Sequence, residues 1–161
     1  KRVATGKSVT PMFLLGVFLW VPIKRLAEAR RLEEKISESQ AISIAAYEIV
    51  SQQQRRISIP KRFSVPMREM LALQPRFRVL RGKRAMNFLG HRRFRAAYDF
   101  MLLQSKVGQA DKALAKFWTD VQTQTEDERT LSFQMRSKQG QGKNDGQRRR
   151  QRRRRRSLQS T

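Results

Sequence analysis

Few side chains in this sequence have catalytic potential. Its 161 residues include no Cys and a single His, His91. Composition therefore excludes a disulfide framework, a thiolate zinc site and a Cys nucleophile, and argues against His-rich metal sites and Ser-His-Asp relays. Two-metal nucleotidyl transfer needs paired carboxylates on a strand. The acidic runs are Glu33-Glu34 and Glu126-Asp127-Glu128. Both lie in stretches of helical character with no Gly-Ser loop before them, so they read as solvated faces and first-turn charges. There is no Walker loop and no dinucleotide fingerprint. His91 stands beside Arg92 and Arg93, which depress its basicity. It reads as an N-cap or a phosphate contact, not a general base. The chain as given carries no catalytic centre.

Binding chemistry is better represented. Lys and Arg number 36 against 13 Asp and Glu, a net charge of +23. Residues 55–95 carry a net +12 with Glu69 as their one acid, residues 136–161 a net +10, and the remainder +1. Such a balance points to nucleic acid first and an anionic membrane surface second. Three clusters interleave cations with rings: Lys61-Arg62-Phe63, Arg76-Phe77-Arg78 and Arg92-Arg93-Phe94-Arg95. This pattern suits single-stranded RNA, with Arg on phosphates and rings on bases. The rings have a competing use as core, strongest for Phe94, which shares a helical face with Ala97, Tyr98 and Met101. Candidate RNA contacts are Arg55, Arg56, Lys61, Arg62, Arg76, Arg78, Arg81, Lys83, Arg84, Arg92 and Arg93. Arg95 and Asp99 are spaced for a weak, structural i,i+4 ion pair. A second set of contacts is the run Arg148, Arg149, Arg150, Arg152, Arg153, Arg154, Arg155 and Arg156.

The elements that position these residues read as helices. No Gly occurs between Gly16 and Gly82, and no sustained period-2 alternation or internal repeat appears. Thr10 and Pro11 open an apolar helix through about Trp20. Lys24–Ser37 follows as a charged amphipathic helix with Ile23, Leu26 and Leu32 available to face inward. Ser39 or Gln40 begins a third, with Ile42, Ala45, Ala46, Ile49 and Val50 at helical spacing, and Pro60 ends it. Ser64 and Pro66 open Met67–Gln74. Residues 75–82 form a basic connector closed by Gly82, Lys83–Leu89 a short helix with Gly90 at C′, and Arg92–Lys106 a helix stopped by Gly108. Asp111–Gln122 is next, and Thr125 with Glu128 makes a capping box for a last helix through about Met135. The apolar run Val9–Ile23 falls short of the roughly 20 residues needed to span a bilayer. Lys24 and Arg25 after it argue against a signal peptide, which leaves a buried core helix. After Met135 only Leu158 is apolar, so 137–161 cannot offset its chain entropy and is expected to be disordered. The expectation is one all-α domain, an irregular bundle of about seven to eight helices over 1–136, plus a basic tail, 137–161.

Several stretches resemble the C-terminal region of bacterial poly(A) polymerases, the polyadenylating branch of the class II nucleotidyltransferases. They are Ile57-Ser-Ile-Pro-Lys-Arg-Phe63, Pro66-Met-Arg-Glu69, Leu73-Gln-Pro-Arg-Phe77, Arg81-Gly-Lys-Arg-Ala85 and, most specific, Phe94-Arg-Ala-Ala-Tyr-Asp-Phe100 leading into Leu102-Leu103. Thr10-Pro-Met-Phe-Leu14 and Phe117-Trp-Thr119 with Gln122 extend the similarity over about 1–135. The arginine-rich end is similar in kind. The family has Pro after the His of its signature, where this chain has Arg92.

The resemblance implies an all-helical, RNA-holding body that follows a separate nucleotidyltransferase head. The head would carry the metal-binding Asp pair and take ATP and Mg, so no cofactor is expected in this chain, and the chain alone is expected to be inactive. The parent enzyme would add AMP from ATP to RNA 3′ ends without a template, largely independent of sequence, in the bacterial cytoplasm. A first residue that is Lys rather than Met fits a fragment or a processed piece. Alternatives are a stand-alone basic nucleic-acid-binding protein, the C-terminal part of a CCA-adding tRNA nucleotidyltransferase, and peripheral membrane association through the tail and the 11–23 helix. Stable membrane insertion is not expected.

Overall fold

The structure is a computed structural model that describes residues 9–134; the basic tail lies outside them. Among the described residues there are helices and no strands. They are α1 (Pro11–Glu34), α2 (Glu38–Gln54), α3 (Lys61–Ala72), a 3-10 turn (Gln74–Arg78), α4 (Gly82–Leu89), α5 (Phe94–Lys106), α6 (Lys112–Thr123) and α7 over 126–134.

Side-chain caps start α6 and α7 where the sequence placed them, while α2 begins earlier than the expected Ser39 or Gln40. Pro11 follows Thr10 at the head of α1. Asp111 accepts a hydrogen bond from the Ala113 N–H at 2.8 Å. Thr125 and Glu128 form the expected reciprocal pair, with Glu128 accepting the Thr125 N–H at 2.8 Å. At α2 the cap is Ser37, whose side chain accepts the Gln40 N–H while Gln40 accepts the Ser37 N–H. The break before it is made by Lys35, which adopts φ +52°, a left-handed conformation that costs a non-glycine residue about 1–2 kcal/mol.

The prolines depart from expectation. The two helices expected over 11–37 are one, and Pro22 lies inside it. Pro22 sits on the solvent face, where water can satisfy the carbonyl freed by its missing N–H. Likewise α3 begins at Lys61, with Pro60 at its N-cap and Pro66 inside. The basic connector holds the 3-10 turn, and α5 starts at Phe94, two residues late. Gly90 has φ −79°, so it is not a left-handed cap. Positive φ falls instead on Gly82 and Gly108, at +67° and +76°, where glycine is favoured because it has no Cβ to clash. Ile23 is buried and Leu26 half-buried as expected, but Leu32 is 81% exposed. The apolar run is not fully core, because Leu14, Phe18 and Val21 share an exposed face of α1.

Helices α1, α2 and α3 pack on one another. Gly16 permits the close approach of α1 to α3: a Cβ there would stand 2.6 Å from the Met70 terminal methyl and 3.5 Å from Met67 Cγ. Arg30 ties α1 to α2 by bridging Glu34 at 2.7 Å and Glu48 at 2.6 Å. The other half of the core is aromatic. Phe77, from the 3-10 turn, meets Phe88 of α4 at 4.8 Å, Phe94 of α5 at 5.8 Å and Trp118 of α6 at 5.5 Å between ring centroids. Trp118 Nε1 donates to the Phe77 carbonyl at 2.8 Å. Gln74 Nε2 donates to the carbonyls of Met70 and Ala97, pinning the turn to α3 and α5. The halves join through Phe100, edge-on to Phe13 and Trp20 of α1.

Phe77→Ala should lower unfolding free energy by about 3–5 kcal/mol, the usual cost of deleting a buried Phe, in a chemical denaturation curve. Gly16→Val should cost about 1–3 kcal/mol through overpacking. Gly16→Ala should cost less, because the Met70 methyl can move.

Candidate nucleic-acid interface

The predicted contacts divide by what the fold gives them to bind. Arg55 and Arg56 end α2, Lys61 and Arg62 begin α3, and all four are exposed around one turn. Arg81, Lys83 and Arg84 are exposed at the start of α4. None of these seven cations has a carboxylate partner among the described residues; Arg62 lies over its neighbour Phe63, 4.9 Å from the ring centroid.

The other four are engaged. Arg78 pairs with Glu38 of α2 at 2.6 Å. Arg76 is half-buried over the Phe88 ring, 4.9 Å from its centroid. Arg92 and Arg93 both reach Glu69 of α3, the single acid of the basic block, Arg93 Nε at 2.8 Å from Oε2 and Arg92 on Oε1. These ion pairs hold the turn before α5 against α3 and neutralise part of the block's charge; Arg93 is half-buried, while Arg92 stays exposed. Arg95 and Asp99 form the expected i,i+4 pair at 3.5 Å. The arginines of 148–156 lie outside the described residues.

The rings are not a stacking platform. Phe77 is fully buried and Phe94 is 6% exposed. Only Phe63 retains partial exposure. The helical face shared by Phe94, Ala97, Tyr98 and Met101 is buried as expected.

His91 caps the turn into α5. Its Nδ1 accepts the Arg93 N–H at 3.1 Å, so the neutral ring is the form that serves. Burial, with the charges of Arg76 and Arg92 behind it, lowers its pKa below the ordinary histidine range. It lines a shallow cleft with Arg68, Glu69, Arg92 and Ser43. Arg68 was not among the sequence candidates; the structure places it half-buried on α3 beside Glu69. Its guanidinium lies 5.2 Å from the Tyr47 ring centroid, and its Nε is buried without a partner among the described residues. Its signal in the sequence was membership of the +12 block alone.

The hydrogen bond from Arg93 holds the Glu69 carboxyl below its ordinary range, with the charges of Arg92 and Arg93 adding to it. A depressed carboxylate contributes stability above its unfolded pKa and loses it as pH falls through the folded one. His91 has the same sign, because the unfolded chain takes up the proton first. Stability should therefore fall in two stages on acidification, one beginning in the ordinary histidine range and one in the ordinary carboxylate range, each ending at the lower folded value. His91→Asn, which keeps a capping acceptor, should remove the upper stage, and Glu69→Gln should diminish the lower, to which Glu128, lowered by its bonds to Thr125, also contributes. Unfolding midpoints across pH would show this.

Comparison with known proteins follows this geometry. The family described as "Polymerase A arginine-rich C-terminus" matches residues 34–157, spanning α2 to the arginine run. Over 130 residues, 80% of the chain, it is 29% identical to poly(A) polymerase I of Escherichia coli O6:H1, 28% to that of Salmonella typhi and 26% to that of Haemophilus influenzae. The match covers 28%, 28% and 29% of those proteins respectively, so the chain spans less than a third of their length. With the family's match running over most of this all-helical body, the chain belongs to the arginine-rich C-terminal family of polymerase A.

Proposed function

We propose that the chain is the RNA-holding body of a poly(A) polymerase. The observation that carries this is the set of seven exposed cations without acid partners at the α2–α3 turn and the start of α4, in a chain of the polymerase A C-terminal family. A polymerase without a template must hold primers of any sequence, so backbone charge has to do most of the gripping. Cations on rigid helix ends, with rings withdrawn into the core, suit phosphates better than bases. The α2–α3 turn and α4 would line the path of the 3′ end, and the arginines of 148–156 would capture RNA further upstream.

AMP transfer from ATP to the RNA 3′-hydroxyl is assigned to a separate nucleotidyltransferase head in the bacterial cytoplasm. Among the described residues no group of three or more acidic or His side chains gathers as a metal site, and ATP and Mg are assigned to the head. No described helix is long and apolar enough to cross a membrane.

Salt titration of RNA binding tests the reading. If all eight arginines of 148–156 meet phosphates, log K should fall against log salt with a slope of about −6 from them, at about 0.7 per contact for a single strand. Replacing them with Gln should flatten the slope by that amount. Replacing Arg81, Lys83 and Arg84 together should flatten it by about 2. Slopes unchanged by both replacements would remove these residues from the interface.

A further inference from the structure

Tyr47 lies outside the three clusters in which the sequence interleaves cations with rings, and it is the single aromatic residue of α2. Phe77 and Phe94 went into the core; Tyr47 stays 59% exposed. The other exposed ring among the described residues, Phe18, stands between Leu14 and Val21 on an apolar face of α1. Tyr47 stands beside a cation instead. Arg68 of α3 lies over its ring, 5.2 Å from the centroid. The tyrosine is open to solvent even so, and ring surface remains for a base to cover.

The charge of Arg68 is uncompensated. Both oxygens of the adjacent Glu69 are taken by Arg92 and Arg93, and Arg68 has no carboxylate partner among the described residues. The pair also sits close to the free cations. Gln54 Nε2 donates to the Ile59 carbonyl near the α2–α3 turn, and Tyr47 meets Arg68 further along, so the two helices run antiparallel away from it. Tyr47 is therefore about 12 Å along α2 from Arg55, and Arg68 about 10 Å along α3 from Lys61, at 1.5 Å per residue. A strand whose phosphates meet Arg55, Arg56, Lys61 and Arg62 has the Tyr47 ring within reach of one of its bases. Ser43, one helical turn before Tyr47, lines the shallow cleft together with Arg68 and Arg92, which leaves such a strand room beside the ring.

We propose that the Tyr47 ring is a stacking platform for one unpaired base of the bound RNA. Every base has a π-face, so a stack of this kind holds a strand without selecting its sequence. Single-stranded bases splayed from the backbone are commonly held in this way on aromatic rings and arginine planes. The platform rests on the RNA reading above and adds one base contact to a grip otherwise made on phosphates.

Binding of a labelled oligoadenylate to the full chain, followed by anisotropy, tests this against an abasic strand of equal length that offers phosphates alone. Tyr47→Ala should weaken oligoadenylate binding about five- to 150-fold, the usual loss when a stacking ring is removed. It should leave the abasic strand unaffected and the salt slope unchanged, because no phosphate contact is lost. Tyr47→Phe should bind as the wild type does. Tyr47→Trp should also bind, and its emission should be quenched by oligoadenylate and not by the abasic strand, over a background from the buried Trp20 and Trp118. Unchanged oligoadenylate affinity in Tyr47→Ala, with no quenching in Tyr47→Trp, overturns the platform and leaves the RNA reading standing. Equal loss on both strands overturns it too, because the ring would then serve the backbone or the fold. Failure of the wild type to bind either strand at low salt overturns the RNA reading and the platform with it.

Discussion

The burial of Phe77 among Phe88, Phe94 and Trp118, with its carbonyl held by the Trp118 indole, constrains the whole middle of the chain. A ring of this size cannot leave the core without a large cost, so the five-residue 3-10 turn around it has one admissible setting. That setting sends Arg78 outward to Glu38 and lays Arg76 over Phe88. It also brings α4, α5 and α6 to one aromatic cluster, which fixes where the cations before α4 and α5 emerge. The positions of the basic residues thus follow from apolar packing beneath them.

Charge is then distributed by three carboxylates. A block of +12 repels itself and opposes compaction. Glu69 takes Arg92 and Arg93, and Glu38 takes Arg78 with Arg31 at longer range. Asp99 meets Arg95. These pairs are partly exposed and individually weak, but each joins two elements or stiffens one. What they leave uncompensated is concentrated at the α2–α3 turn and the start of α4. Both places are helix ends, where side chains can reach a phosphate without carrying a backbone distortion.

The helix interiors show how far local signals carry. Pro66 was read as opening a helix and the first helix was ended near Trp20, just before Pro22, yet both prolines sit inside helices. A missing N–H costs one bond, and the packing of α1 on α3 through Gly16, Met67 and Met70 outweighs it. Gly90 and Leu32 erred in the same direction, because a plausible local role gave way to the path set by neighbouring helices. Capping was more reliable. Asp111, Thr125 and Glu128 act where their spacing put them, since a cap is satisfied by backbone groups within three residues.

From sequence alone came the all-α class, the family, the separation of basic blocks from a balanced body, and the buried face of α5. The family came from the resemblance of particular stretches, Phe94–Phe100 above all; the rest depend on composition or on contacts between residues a few positions apart. Which arginines are spent on carboxylates, and that Phe77 is core while Phe63 stays half-buried, were settled by tertiary structure. Each of these joins residues far apart in the chain: 40 positions between Glu38 and Arg78, 41 between Phe77 and Trp118. Periodicity cannot supply such pairings, because it records which face of a helix is apolar and not which other helix covers it.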